Sequence, residues 1–278
     1  MATYINPFTD FGFKKLFGEE ESKEYLIDFL NSVFEGYIPF IAELQYGKTE
    51  HLGATPVDRN AIFDLYCKNE KGERFIIELQ KAKQAYFKER TLFYSTFAIQ
   101  EQAEKSEWNF KLDTIYCIGI LNFTFNNTQE KYLHFGKILD IETHETLINT
   151  LNFAYIECPK FNKQITQDSS NHDKWMYVFT QLDRLHKLPE QLQTKIFQGF
   201  FTKANILQLK PEDKENYNNS IKYYRDTHNV AETAKIEGKI EGKIEEKIEI
   251  ARKMKLRNLP IEDIIGCTGL TKQEIQKI

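Results

Sequence analysis

Between Asn6 and Gly36 the apolar residues Phe13, Leu16 and Phe17, then Tyr25, Leu26, Phe29, Leu30 and Val33, fall three and four positions apart. This rhythm predicts two short helices interrupted at Gly18. The pattern then changes, and strands are expected over residues 38–46, 62–68 and 74–80. A helix follows from 84 to about 105, carrying Tyr86, Phe87, Arg90, Tyr94 and Phe97. The stretch "TIYCIGILNFTF", 114–125, is rich in β-branched and aromatic side chains and reads as a buried strand. Further strands are expected over 131–141 and 150–157. The order of helix, strands, helix and strand indicates an α/β domain built on a mixed sheet. From about residue 171 the pattern is helical: "HDKWMYVFTQLDRLHKL" is amphipathic, Pro189 opens a second helix and Pro211 begins a long polar one. The organisation expected is a core over 1–170, a helical extension packing on it over 171–230, and a charged helix with a small helical tail over 231–278.

One stretch of this pattern raises a chemical question. In "IFDLYCKNEKGERFIIELQ", residues 62–80, two apolar runs each carry an acid, Asp64 and Glu78. Alternation puts Phe63, Leu65 and Cys67 on one face of the first strand, and Phe75, Ile77 and Leu79 on one face of the second. Matching these faces across a hairpin requires a three-residue loop, Glu70-Lys71-Gly72, with Gly72 in the left-handed conformation. Position 64 then lies opposite 78, and 62 opposite 80. Two carboxylates paired across strands repel, and apolar neighbours make their ionisation costly. A divalent cation such as Mg²⁺ would compensate both charges. The other solution is an exposed sheet face on which the acids meet Arg59, Lys81 or Arg74, and the spacing leaves both open.

The only internal repeat, "KIEGKIEGKIEEKIEI" from Lys235 to Ile250, lies in the long polar helix. Four-residue spacing advances about 400°, so Ile236, Ile240, Ile244 and Ile248 form a stripe drifting about 40° per repeat. Lys flanks it on one side and Glu on the other. In a parallel two-fold pair the Lys flank of one helix meets the Glu flank of its partner, so a homodimer through 235–250 is expected. The competing expectation is a linker helix whose Ile stripe packs on its own domain. The tail, 258–278, reads as two short helices with Pro260 at the start, Gly269 between them and a capping box from Thr271 to Glu274. It is either a helix-turn-helix or a packing module.

Composition narrows the function classes. The 278 residues are 41% hydrophobic, 14% aromatic and carry a net charge of −4, which suits a folded protein with a sizeable core. No apolar run approaches the roughly 18 residues of a membrane span, so a cytoplasmic protein without a membrane segment is expected. Cys67, Cys117, Cys158 and Cys267 have no zinc-ligand spacing and read as reduced thiols. Neither a GxxxxGK[ST] loop nor a GxSxG elbow is present, so ATP and serine-hydrolase chemistry are not expected. The acidic balance means that nucleic acid would need a local patch. "KAKQAYFKER", 81–90, offers Lys81, Lys83, Lys88 and Arg90, either as phosphate contacts or as a solvated helix face.

"NPFTDFGFKKLFG", "RNAIFDLYCKNEKGERFIIELQ", "ERTLFYSTF" and "IYCIGILNF" together resemble the Rpn-type recombination-promoting nucleases, also described as transposases, of the PD-(D/E)XK nuclease superfamily. The likeness is dense over roughly residues 4–125. It implies a restriction-endonuclease-like mixed sheet flanked by helices. It also implies a DNA endonuclease dependent on Mg²⁺, for which Mn²⁺ can substitute, linked to recombination or mobile elements. Residue by residue, Asp64 matches the strand acid, Glu78 the second acid, and Gln80 the position usually held by Lys. The backbone carbonyl of Leu79 completes the implied metal ligands. Asp10 matches an acid of the N-terminal motif, and Arg90 and Tyr94 match residues of the following helix; Lys81 and Lys83 are expected beside the DNA. Gln80 departs from the commoner Lys, since a neutral amide orients water but adds no charge to lower its pKa. The alternative is therefore a catalytically weak nuclease-fold protein that binds DNA or partners under the control of its helical tail.

Overall fold

A computed structural model describes residues 2–51, 61–103, 109–125 and 130–278. In chain order its elements are α1 (Asp10–Phe17), α2 (Lys23–Val33), β1 (Leu44–Tyr46), β2 (Glu50–His51), β3 (Ala61–Ile62), β4 (Leu65–Asn69), β5 (Arg74–Gln80), α3 (Phe87–Gln100), β6 (Ile115–Leu121), β7 (Leu133–Leu139), β8 (Thr146–Glu157), α4 (Asn171–Gln181), α5 (Lys195–Ala204), α6 (Pro211–Leu256), α7 (Ile261–Thr268) and α8 (Lys272–Lys277). The chain forms two compact units, Met1–Arg225 and Asp226–Ile278.

The first unit is built on a six-stranded mixed sheet in the order β1-β4-β5-β6-β8-β7. Strands β5, β6 and β8 run parallel, and β1, β4 and β7 pair antiparallel to their neighbours. All seven residues of β5 are buried, because helices cover the sheet on both sides. One face, with Leu65, Cys67, Phe75, Ile77, Ile118 and Ile156, packs on α1, α2, α4 and α5 through Phe17, Phe29, Trp175, Phe179 and Phe200. On the other face Ile76, Ile115, Cys117 and Leu151 pack against Ala98 of α3. Local signals set the helix ends. Thr9 caps α1 through the Gly12 N–H, Gly18 ends it, and Ser170 caps α4.

The expected hairpin is present in the expected register. Leu65 pairs with Ile77 and Cys67 with Phe75, and Gly72, at φ +81°, closes the loop with its N–H donating to the Asn69 carbonyl. The structure differs from expectation in its details. The 62–68 strand is broken at Phe63 and Asp64, and Phe63 joins Tyr66 and Ile76 on the α3 side rather than Leu65 on the other. Alternation fails there because the Asp64 side chain itself takes part in the strand pairing, as set out below. The 38–46 strand shrinks to β1, and the helix expected over 84–105 begins at Phe87 because Tyr86 is left-handed, at φ +61°. Pro189 opens only a short turn, Glu190–Leu192, and α5 starts at Lys195. The sheet face at Glu78 is not exposed: α3 covers it and Glu78 is buried, while Asp64 is half-buried at an open cavity. Arg59 lies outside the described residues.

In the second unit, α7 and α8 fold back on α6 around Ala251, Ile264, Leu270 and Ile275, with Ile248 at the edge of the cluster. Gly269, at φ +68°, ends α7, and Thr271 and Glu274 form the full capping box. Ile236, Ile240 and Ile244 are exposed, at 54%, 54% and 47%, and within this unit only Ile248 of the stripe joins the cluster.

Candidate active site

Asp64 and Glu78 face each other where the hairpin register puts them. The Leu79 N–H donates to Asp64 Oδ2 at 2.6 Å, and the Asp64 N–H donates to Glu78 Oε1 at 3.3 Å. Each carboxylate is thus held by a main-chain amide of the opposite strand, and the break in the first strand follows from this exchange. Glu78 is 5% exposed. Burial, with Asp64 adding to it, pushes its carboxyl up to about 8. Asp64 is also raised, chiefly by burial and further by Asp10, against the Leu79 hydrogen bond. Nearby cations oppose this rise without reversing it.

The nearby cations are only partly committed. Arg90 Nη2 lies 3.9 Å from Glu78 Oε2, beyond hydrogen-bond reach. Its guanidinium sits between the rings of Phe87 and Tyr94, at 5.3 and 5.7 Å, and Nη1 donates to Gln84 Oε1 at 2.6 Å. Arg90 Nε and Nη2 are buried without a hydrogen-bond acceptor among the described residues. Tyr94 packs edge-on against Phe63, which fixes this arm of the site to the hairpin. Half-buried Lys81 lies over the Tyr223 ring at 5.2 Å, and burial pulls its pKa down against the opposing pull of Asp10 and Asp64.

Asp10 comes to the same place from the first turn of α1, where it pairs with Lys14 at 3.1 Å. Asp10, Lys14 and Asp64 all line an open cavity of about 590 Å³, with Tyr46 and Ser220 on its walls. Gln80 is buried and donates from Nε2 to the Leu79 carbonyl at 3.3 Å. Lys83 is directed elsewhere, with its ammonium on the Phe125 carbonyl at 3.2 Å. The structure therefore gathers Asp10, Asp64, Glu78, Leu79, Gln80, Lys81, Arg90 and Tyr94, and leaves Lys83 outside the group. Sequence reasoning missed Lys14, whose signal was its place four residues after Asp10 on one helix face. It also missed Gln84 and Phe87, which hold Arg90.

Among the described residues no three His, Cys, Asp or Glu side chains converge as a complete metal cage. The donor set nevertheless suits Mg²⁺, which is commonly held by one or two carboxylates and keeps several waters. The uncompensated charge of the Asp64–Glu78 pair is what such an ion would neutralise. The first three cysteines are buried and all four are free thiols. Among the described residues no helix is long and apolar enough to cross a membrane.

A family model described as PD-(D/E)XK nuclease family transposase matches residues 7–234, which spans both acids, α3 and most of the helices that back the sheet. Comparison with curated proteins and with solved structures gives no match.

Proposed function

The chain belongs to the PD-(D/E)XK nuclease family transposases, and from that premise we propose that it is a Mg²⁺-dependent DNA endonuclease serving recombination or mobile elements in the cytoplasm. The observation that carries this reading is the Asp64–Glu78 pair, Glu78 buried and Asp64 at the wall of the open cavity, each acid held by a main-chain amide across the hairpin and neither hydrogen-bonded to a cation. Asp64 and Glu78 would hold the ion through their carboxylates, with the Leu79 carbonyl as a further oxygen; Mn²⁺ would substitute. When bound, the ion supplies an activated water and offsets charge on the scissile phosphate. The Gln80 amide orients that water without adding charge. Arg90, enclosed beside Glu78, supplies positive charge behind the pair, and Lys14 and Lys81 place positive charge beside Asp64. Asp10 positions Lys14 through their ion pair.

The organisation that goes with this reading is a nuclease core over 1–170, its helical extension over 171–230 and a charged helix with its tail over 231–278. The exposed Ile236, Ile240 and Ile244, flanked by opposite charges, support a parallel homodimer through 235–250. Replacing these three isoleucines by serine should convert the dimer to a monomer in light scattering. An unchanged dimer would sink this assignment.

A second reading rests on Gln80. Its amide occupies the Leu79 carbonyl, which favours a catalytically weak protein that binds DNA or a partner under the control of its tail. Nicking of supercoiled plasmid with Mg²⁺, with EDTA and with folded Asp64→Ala protein separates the two. Cleavage should need both metal and Asp64. Matched absence of cleavage with DNA binding retained would put the second reading first.

A further inference from the structure

A second concavity lies on the same face of the sheet as Glu78. The strand registers set Glu78 beside Gly119, Gly119 beside Tyr155, and Tyr155 beside His134, in one rank across β5, β6, β8 and β7. The next rank aligns Gln80, Leu121 and Glu157. Gly119 is required in the first rank: a Cβ there would meet Tyr155 Cδ1 at 2.8 Å and Phe87 Cζ at 3.1 Å. Its absence lets aromatic rings lie against the sheet just beyond the acids. Past them opens a cavity of about 340 Å³ lined by Phe125, His134, Gly136, Tyr155, Glu157 and Lys88. With strands about 4.8 Å apart, Tyr155 lies about 10 Å from Glu78 across the sheet.

The walls are held from below by one buried carboxylate. Glu157 accepts from His134 Nε2 at 2.5 Å, from Lys160 Nζ at 3.0 Å and from the Phe125 N–H at 2.9 Å. Phe125 stands edge-on to Tyr155, with ring centroids 5.6 Å apart, and His134 is 6.0 Å from Phe125. Half-exposed Phe125 carries the Lys88 ammonium 4.3 Å above its ring, and its carbonyl holds Lys83. The cavity therefore combines a preset flat aromatic wall with two lysines at its rim, one of them parked where a planar ligand would stack. A base stacks on such a ring whatever its identity, and its phosphate would draw the flexible lysine away. The recess suits one base without its pairing partner, because a paired base keeps both faces covered in the duplex.

We infer that the cavity beside Phe125, Tyr155 and His134 receives one unpaired nucleobase of the bound DNA, a nucleotide or two from the phosphate at Asp64 and Glu78, with Lys83 and Lys88 on its backbone. This rests on the nuclease reading above. It makes the protein selective for DNA that is locally unpaired, by structure rather than by sequence.

The test compares binding of the full chain, in EDTA, to two oligonucleotide duplexes containing 2-aminopurine, one fully paired and one in which that base is bulged out. The wild type should bind the bulged duplex about tenfold more tightly, the discrimination that one aromatic stack supplies, and should quench its fluorescence. Phe125→Ala should lose both the preference and the quenching, and Phe125→Tyr should keep them. Gly136→Ile fills the cavity from β7, where a Cβ makes only an ordinary 3.5 Å contact with Phe153; it should also lose the preference, and it decides the matter if Phe125→Ala does not fold. Equal affinity for the two duplexes in the wild type, or a preference intact in folded Gly136→Ile, overturns the pocket. Plasmid nicking by the wild type, assayed in parallel, separates the two proposals: nicking without a bulge preference overturns the pocket alone, and a protein that neither nicks nor binds DNA overturns both.

Discussion

Glu78 and Glu157 stand on the same face of one sheet, both closed off from solvent, in opposite surroundings. Glu157 is met by His134, by Lys160 and by a main-chain N–H, so each of its oxygens has a donor close by. Glu78 is met by a second acid and by an arginine held just out of reach by two aromatic rings. Burial is shared, but only one of the two glutamates has been compensated. A carboxylate that the fold has already neutralised is a structural post, and one left short of positive charge is a place for a ligand.

The largest expected effect comes from undoing the compensated acid. Glu157→Gln should cost about 3–5 kcal/mol of stability, because it leaves Lys160 buried without its counter-charge; denaturant unfolding measures it, and a loss below about 1 kcal/mol would break the contrast. The same change at Glu78 should act in the opposite direction. The Glu78 carboxyl titrates near 4.5 when unfolded and about 8 when folded, so the folded state binds its proton more tightly. Stability of the metal-free protein is then lost as pH rises through that window. Metal-free Glu78→Gln should melt above the wild type at pH 8, with the gap closing toward pH 4.5. Saturating Mg²⁺ should raise the melting temperature of the wild type and leave the variant unmoved. A variant that melts below the wild type at pH 8 would show that Arg90 already neutralises the pair.

Smaller effects sharpen the comparison. His134→Leu removes one of three donors to Glu157 and should cost about 1.5 kcal/mol in the same unfolding assay, well short of the loss in Glu157→Gln. Gln80→Lys adds the charge that Glu78 lacks. On the proposed role of the Gln80 amide in orienting water, it should preserve plasmid nicking or raise it by no more than about tenfold. Abolished nicking in a folded Gln80→Lys protein would mean that Gln80 has a different role.

Much of the hairpin that carries the acids was legible in the chain. Gly72 and the matching of Leu65 and Cys67 with Ile77 and Phe75 specify the register, and the capping box and the start of α6 at Pro211 are equally local signals. Phe63 was misplaced because the Asp64 side chain replaces a main-chain partner, and alternation counts only main-chain strands. Lys14 was not found beside Asp64, because it comes from a helix whose placement depends on packing rather than on spacing; Arg90 was expected at the site from the resemblance alone, not from spacing. Lys160 meets Glu157 locally, three residues on, but His134 and Glu157 share no motif, and only the antiparallel pairing of β7 with β8 brings them together.

By itself, then, the sequence determined that two acids would stand opposite one another. Side chains alternate with a period of two, and a three-residue glycine turn permits only one matching of the apolar faces. Only the tertiary structure decided what that opposition means. Covering the sheet with α3 on one side and four helices on the other closed Glu78 off from the water that would have screened it, while Asp64 keeps one side on the open cavity. The same packing delivered a counter-charge in hydrogen-bond contact to Glu157 and withheld one from Glu78, and no spacing along the chain encodes which groups low-dielectric packing will bring within a few ångströms.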